Sequence, residues 1–91
     1  MSTEAVTLAV QTLFESLRPS QEIYYQTHGV YEQTQELHGE GFTYRCSSHG
    51  QPNAWSLVAS ALVDGLDQQM MLDCGIEPTR AYGWSIKTGV N

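Results

Sequence analysis

Basic residues are scarce in this sequence. Its 91 residues include four Lys and Arg against ten Asp and Glu, so the formal net charge is −6, although only 15% of the residues are charged. Proteins that bind nucleic acid need clustered cations to neutralise phosphates, and proteins that dock on anionic membranes need them too. The composition therefore argues against direct binding to nucleic acid and to membrane surfaces.

Long hydrophobic runs and cysteines are also scarce. No apolar stretch approaches the roughly 20 residues that span a bilayer, and residues 1–4 lack the cationic start of a signal peptide. The two cysteines are expected to be thiols in a reducing compartment. With 41% hydrophobic residues the chain has enough apolar surface for a core. We therefore expect a cytoplasmic protein with a single domain spanning residues 1–91.

The first segment has the periodicity of a helix. Apolar residues at three- and four-residue steps form one stripe (Val6, Val10, Leu13 and Leu17). Ser2 or Thr3 can cap its start. Pro19 is predicted to end it, because the residue before a proline is pushed out of helical geometry.

Residues 21–47 allow two interpretations. Under the first, alternating apolar residues and glycine turns give three antiparallel strands, of which the third, 42–47, alternates most clearly. Under the second, a helix covers residues 20–38. That helix would contain Gly29 in its interior and would stack three glutamates along one stripe, which together cost about 2 kcal/mol. The strands are therefore favoured.

A second helix is predicted after Asn53, which is a good N-cap. Apolar residues at helical spacing would line its buried face (Trp55, Val58, Ala59, Leu62, Leu66 and Met70), and Gly75 would end it. A last strand is predicted from the alternation of Tyr82, Trp84, Ile86 and Thr88.

The predicted fold class is α+β, with the order α-β-β-β-α-β. One apolar helix stripe and one apolar sheet face must each be buried, which predicts a single two-layer domain. An antiparallel sheet of about four strands would carry both helices on one face. Polar residues such as Thr43, Arg45, Ser85 and Lys87 would occupy the opposite, solvated face.

The order α-β-β-β-α is similar to that of the double-stranded-RNA-binding domain family. That family meets phosphates with a lysine cluster at the start of its last helix. Residues 51–60 of this sequence contain no Lys or Arg. The resemblance is one of element order, and it implies no RNA binding for this chain.

Candidate metal and catalytic groups are few. Cys46 and His49 have the spacing of half a zinc site, and His28, His38 and Cys74 are the remaining candidate ligands, but no second close pair exists. A thiol beside a histidine is also the minimum for a cysteine hydrolase. Cys74, predicted at a helix C-terminus, lies at the wrong end of the dipole for an activated thiol. We therefore predict no catalytic residue, no metal and no cofactor, and enzymatic activity is not the expected function.

The negative charge is concentrated in the first part of the chain. Residues 1–40 hold six acidic residues and one basic residue. Three glutamates (Glu32, Glu36 and Glu40), which we call the acidic edge, are predicted to share one side of the structure, with Tyr24, Tyr25 and Tyr31 close by in sequence. Tyrosine beside charge is typical of protein-binding surfaces. A solvated face that keeps the protein soluble explains the same charge pattern.

Two function hypotheses follow from these features. The first is a small acidic regulatory module that acts by protein–protein contact. Such a module could be an inhibitor of the phage or mobile-element type, which mimics nucleic acid by presenting carboxylates to a basic surface. The alternative is a small ligand-binding or enzymatic subunit with a pocket between sheet and helices, using Cys46, His49 or His28. A homodimer is a further structural hypothesis, because exposed strand edges can pair.

Overall fold

The computed structural model describes residues 2–74, 80–81 and 83–86. In this part of the chain one long helix, α1 (Thr3–His28), is followed by six strands that form one antiparallel sheet. The strands are β1 (Leu37–His38), β2 (Thr43–Ser47), β3 (Trp55–Val63), β4 (Leu66–Cys74), β5 (Arg80–Ala81) and β6 (Ser85–Ile86). The fold class is α+β, but the predictions of two helices and of about four strands were wrong.

Helix α1 begins as predicted and continues past the proline. The Ser2 hydroxyl accepts a hydrogen bond from the Ala5 amide at 3.1 Å, so Ser2 is the N-cap. Pro19 lies inside the helix, and the prediction that it ends α1 was wrong. Proline removes one helical hydrogen bond, but the buried residues Phe14 and Gln21 lie on either side of it. Packing on both sides of Pro19 therefore holds the helix together.

The helix ends at Gly29, whose left-handed backbone (φ 77°) lets its amide donate to the Tyr25 carbonyl at 2.7 Å. Neither interpretation of residues 21–38 was fully correct. Residues 21–28 are helical, which contradicts the first predicted strand. The following residues 31–36 form no regular element, and only Leu37–His38 belong to the sheet.

The predicted second helix is a β-hairpin. Strands β3 and β4 pair antiparallel in a continuous register from Trp55↔Cys74 to Val63↔Leu66. The two connecting residues, Asp64 and Gly65, both have positive φ, at 54° and 77°. Two such residues form the type I′ turn whose twist matches a hairpin. The helical prediction for residues 53–73 was therefore wrong.

The strands follow their sequence order across the sheet, β1-β2-β3-β4-β5, and β6 also pairs with β4. Strand β2 confirms the alternating segment that the sequence predicted at residues 42–47. The last predicted strand is confirmed in part: Ser85–Ile86 pairs with Gln68 and Gln69. Tyr82, Thr88, Lys87 and Gly75 lie outside the described residues.

Helix α1 covers one face of the sheet. Val10 and Phe14 of the helix are fully buried against the inward side chains of β3, and the rings of Phe14 and Trp55 lie 5.2 Å apart. The Trp84 indole donates to the Thr7 hydroxyl at 2.7 Å, and this bond joins α1 to the residue that precedes β6. Thr43, Arg45 and Ser85 lie on the opposite face, as predicted.

Candidate functional site

The acidic edge lies along the outer margin of β2. Glu32 and Glu36 belong to residues 30–36, a segment without regular secondary structure that we call the strap, and Glu40 belongs to the turn between β1 and β2. All three glutamates are exposed. The Thr34 amide of the strap donates to the Cys46 carbonyl at 3.0 Å, and the Cys46 amide donates to the Thr34 hydroxyl at 3.0 Å. These bonds hold the strap against β2.

Two side chains fix the ends of the strap. Gln21 of α1 is buried, and its amide both donates to the Glu32 carbonyl at 2.9 Å and accepts from the Glu32 amide at 2.8 Å. At the other end the Glu36 carboxylate accepts from the Thr43 hydroxyl at 3.3 Å. The strap is therefore held through its backbone at Glu32 and Thr34 and through the side chain of Glu36.

The three predicted tyrosines have different environments. Tyr31 is only 8% exposed, and its hydroxyl donates to the Glu22 carboxylate at 2.8 Å. Its ring lies 4.6 Å from that of Tyr25, which is half-buried. Tyr24 is half-buried as well and stacks on His28 with ring centroids 3.9 Å apart. Tyr24 and Tyr25 therefore offer part of their surface to a partner, whereas Tyr31 packs in the core.

The environment of Tyr31 changes its acidity. Burial, the hydrogen bond to Glu22 and the negative charge of Glu22 together raise the pKa of Tyr31 to about 12. Tyr31 is therefore neutral at physiological pH. It contributes a hydrogen bond to the fold and no charge to the acidic edge.

The carboxylates of the acidic edge are not neutralised within the described part of the chain. There the one ion pair joins Arg18 to Glu15 of α1, at 3.2 Å. Arg45, exposed on the outer face of β2, makes no ion pair with the acidic edge at 4 Å or less. The acidic edge is therefore available for a cationic partner.

A second candidate site lies at the end of the sheet where β2 finishes and β3 begins. There Ser56 of β3 pairs with Asp73 of β4. The buried Ser56 hydroxyl donates to the Asp73 carboxylate at 2.5 Å, and the His49 Nε2 lies 2.9 Å from the same hydroxyl. A cavity of about 320 Å³ opens beside them, with Trp55 and Cys74 among its lining residues.

The order in which His49, Ser56 and Asp73 are hydrogen-bonded determines what chemistry these side chains can perform. An ionised carboxylate can only accept, so the single Ser56 proton points to Asp73. Ser56 must then accept from His49, whose Nε2 carries a proton. A catalytic serine needs a histidine that takes its proton, which is the opposite polarity. The arrangement therefore fixes the His49 ring beside the cavity and does not activate Ser56 as a nucleophile.

Cys46 and His49 lie on opposite sides of the sheet. Cys46 is 3% exposed in the core between α1 and β3, and burial raises the pKa of its thiol. His49 contacts Ser56 on the other face. Across residues 2–74, 80–81 and 83–86 there is no cluster of three or more His, Cys, Asp or Glu side chains that could hold a metal ion. Cys74 ends a strand, so the prediction that it ends a helix was wrong.

The sequence singled out His49 but missed Ser56 and Asp73. In the predicted helix these two residues are 17 positions apart and cannot touch, whereas the hairpin brings them face to face. The Asp64-Gly65 pair was the signal for that hairpin.

Comparisons with known proteins give no relative for this chain. No protein family, no curated protein and no solved structure matches it. No helix of the described residues is long and apolar enough to cross a membrane.

Proposed function

We propose that this chain is a small protein-binding module that contacts a basic surface of its partner through the acidic edge. In this proposal it acts in the cytoplasm, needs no cofactor and regulates the partner by occupying its surface. The observation that carries the proposal is that the anchored strap and the β1–β2 turn together present three exposed carboxylates, none of which has an ion pair among the described residues.

The proposal extends to the kind of surface that is bound. A partner surface that binds nucleic acid presents Lys and Arg to phosphates. Carboxylates on a fixed backbone complement such a surface and suppress partners of like charge. We therefore infer an inhibitor that competes with nucleic acid for its partner.

Charge reversal tests the acidic edge. Partners are captured with tagged wild-type protein from the cells that make it, and the captured protein is then tested for binding by interferometry. A variant with Glu32→Lys, Glu36→Lys and Glu40→Lys should bind about tenfold more weakly or not at all, because cations then face the basic surface. Wild-type binding should also weaken as salt is raised.

A matched variant separates position from net charge. A variant with Asp67→Lys and four neutral residues changed to Lys alters the charge by the same six units at exposed positions outside the acidic edge (Ser20, Gln26, Gln51 and Asn53). This control should keep most of the affinity. Equal losses in the two variants, or no loss in either, would contradict the proposal.

A second candidate function is ligand binding in the cavity beside His49. The fixed imidazole and the 320 Å³ volume favour it. A metabolite panel should then contain a compound that raises the melting temperature of the wild type but not of Asp73→Asn. A panel that shifts neither protein would count against this second function.

A further inference from the structure

A groove separates α1 from the turn that joins β1 and β2. It has a volume of about 550 Å³. Leu8, Ala9 and Leu13 line it from the helix, and Phe42 and Tyr44 line it from the hairpin. The base of the groove is therefore apolar and aromatic.

The helix side of the groove is open to solvent. Leu8 is 64% exposed. Between Ala5 and Ser16 the helix presents mainly small side chains to the groove, over about three turns or roughly 16 Å. Small residues along a helix let another helix approach closely. The length of the lined stretch of α1 therefore suits a short helix better than a compact small molecule.

The opposite wall is held in place. Gly39 allows the Phe42 ring to lie against its backbone, since a Cβ there would come within 2.6 Å of Phe42 Cε2. The Gly39 amide also donates to the Phe42 carbonyl at 2.8 Å. Phe42 is 8% exposed. This wall is therefore present before any partner binds, which lowers the cost of binding.

Both rims of the groove are acidic. Glu40 lines the hairpin side. On the helix side, Glu4 stands four residues before Leu8 on the same face of α1, and Glu15, which pairs with Arg18, stands seven residues after it. The described residues that line the groove include no Lys or Arg, and His38 is the one histidine among them. An apolar base between acidic rims complements a segment with an apolar face and cationic flanks.

We propose that this groove binds an amphipathic helix of the partner, apolar on one face and flanked by Lys or Arg. The inference rests on the proposed function, and it names the part of the partner that is recognised. A second copy of this chain is disfavoured as the occupant, because a symmetric contact through the groove would bring Glu4 and Glu40 towards their own counterparts.

A synthetic peptide tests the groove without the natural partner. The probe is a labelled peptide of about fourteen residues, with Leu at helical spacing and Lys elsewhere. Its binding is measured by fluorescence anisotropy. Leu8→Gln should weaken binding about tenfold, because Leu8 contributes apolar contact at the groove. Leu62→Gln, which removes a similarly exposed leucine (71%) elsewhere, should change it less than about twofold.

Three peptide results would overturn the inference. They are equal binding of a scrambled Leu–Lys peptide, equal binding of a peptide with Glu in place of Lys, and no binding of any peptide. Equal effects of Leu8→Gln and Leu62→Gln would overturn it as well.

The two proposals fail separately. If Leu8→Gln binds the captured partner like wild type while the acidic-edge variant does not, the groove is wrong and the acidic edge stands. If the acidic-edge variant binds the captured partner like wild type, the proposed function is wrong, regardless of the peptide-binding result.

Discussion

At the scale of single residues, Gln21 joins the helix to the strap. It is 4% exposed, and both atoms of its amide bond the Glu32 backbone, as a neighbouring strand would. Backbone N–H and C=O groups that are buried without a hydrogen-bond partner cost free energy. The Gln21 side chain supplies both partners for Glu32, which has no neighbouring strand on that side. This contact sets where Glu32 stands on the acidic edge.

Gln21→Glu should lower the free energy of unfolding by about 1–3 kcal/mol. A carboxylate cannot donate to the Glu32 carbonyl, and it would be buried as a charge. Urea denaturation measures the change. Gln26→Glu, an exposed position on the same helix, should stay within about 0.5 kcal/mol of wild type. Equal stability of the two variants would show that the Gln21 contact contributes nothing.

Tyr31 gives the fold a dependence on alkaline pH. Its pKa is about 12 in the folded chain, against an ordinary value of 10.0. The folded state therefore keeps a proton that the unfolded state loses first. The stability from Tyr31 is complete below pH 10 and declines as the pH rises from about 10 to about 12.

Tyr31→Phe should flatten this decline, because the group that titrates is absent. The free energy of unfolding is measured by urea denaturation at several pH values across this range. Tyr24→Phe should keep the decline, since Tyr31 remains in place. A Tyr31→Phe variant that loses stability as steeply as wild type would assign the effect to other groups.

At the scale of elements, the β3–β4 hairpin shows why the sequence pattern misled. Strand β3 is buried on both faces in its middle, where Leu57 is 0% and Val58 is 6% exposed. Apolar residues on both faces fit a buried helix and a buried strand alike, so periodicity cannot separate the two. The turn chemistry of Asp64-Gly65 points to the hairpin.

Gly65→Ala should lower stability by about 1 kcal/mol. Gly65 has φ of +77° with no heavy atom within 4 Å of an added Cβ, so the cost is conformational and not steric. Gly83 has the same open space without a positive φ in the left-handed range. Gly83→Ala should therefore be neutral or slightly stabilising. Urea denaturation measures both, and equal effects would contradict the turn argument.

The end of α1 shows which sequence arguments held. The free-energy cost of a glycine inside a helix argued against placing Gly29 there. Gly29 indeed lies outside the helix interior and forms the C-cap of α1. The stacking of the three glutamates is avoided as well, because the chain leaves the helix before Glu32. Pro19 is the exception, since its local preference was outweighed by the packing of Phe14 and Gln21.

At the scale of the whole molecule, unbalanced negative charge is the dominant property. The formal net charge is −6, and ion pairing among the described residues is confined to Arg18 and Glu15. Self-repulsion of this kind keeps a protein soluble and also lowers its stability.

Raising the ionic strength from about 0.01 M to about 0.1 M should raise the melting temperature by a few degrees, since the screening length falls from about 30 Å to about 10 Å. A variant with Glu4→Lys, Glu15→Lys and Asp67→Lys should respond less. Its three reversals bring the formal net charge from −6 to zero. An unchanged or lower wild-type melting temperature in salt would contradict the repulsion argument.

Several features of this protein depend on local chemistry and can be read directly from its sequence. These are the capped start of α1, its apolar stripe, the alternating strand β2 and the excess of exposed carboxylates. Each depends on neighbours a few residues apart, which the sequence shows directly.

Tertiary contacts decided the structure of residues 19–28 and 53–74, although the Asp64-Gly65 turn is a local signal within the second range. Their local preferences were close to balanced, and contacts between distant residues chose between the alternatives. The Gln21–Glu32 contact and the pairing of β3 with both β2 and β4 are such contacts. The meeting of His49, Ser56 and Asp73 follows from the same pairing, because only the hairpin register brings those side chains to one end of the sheet.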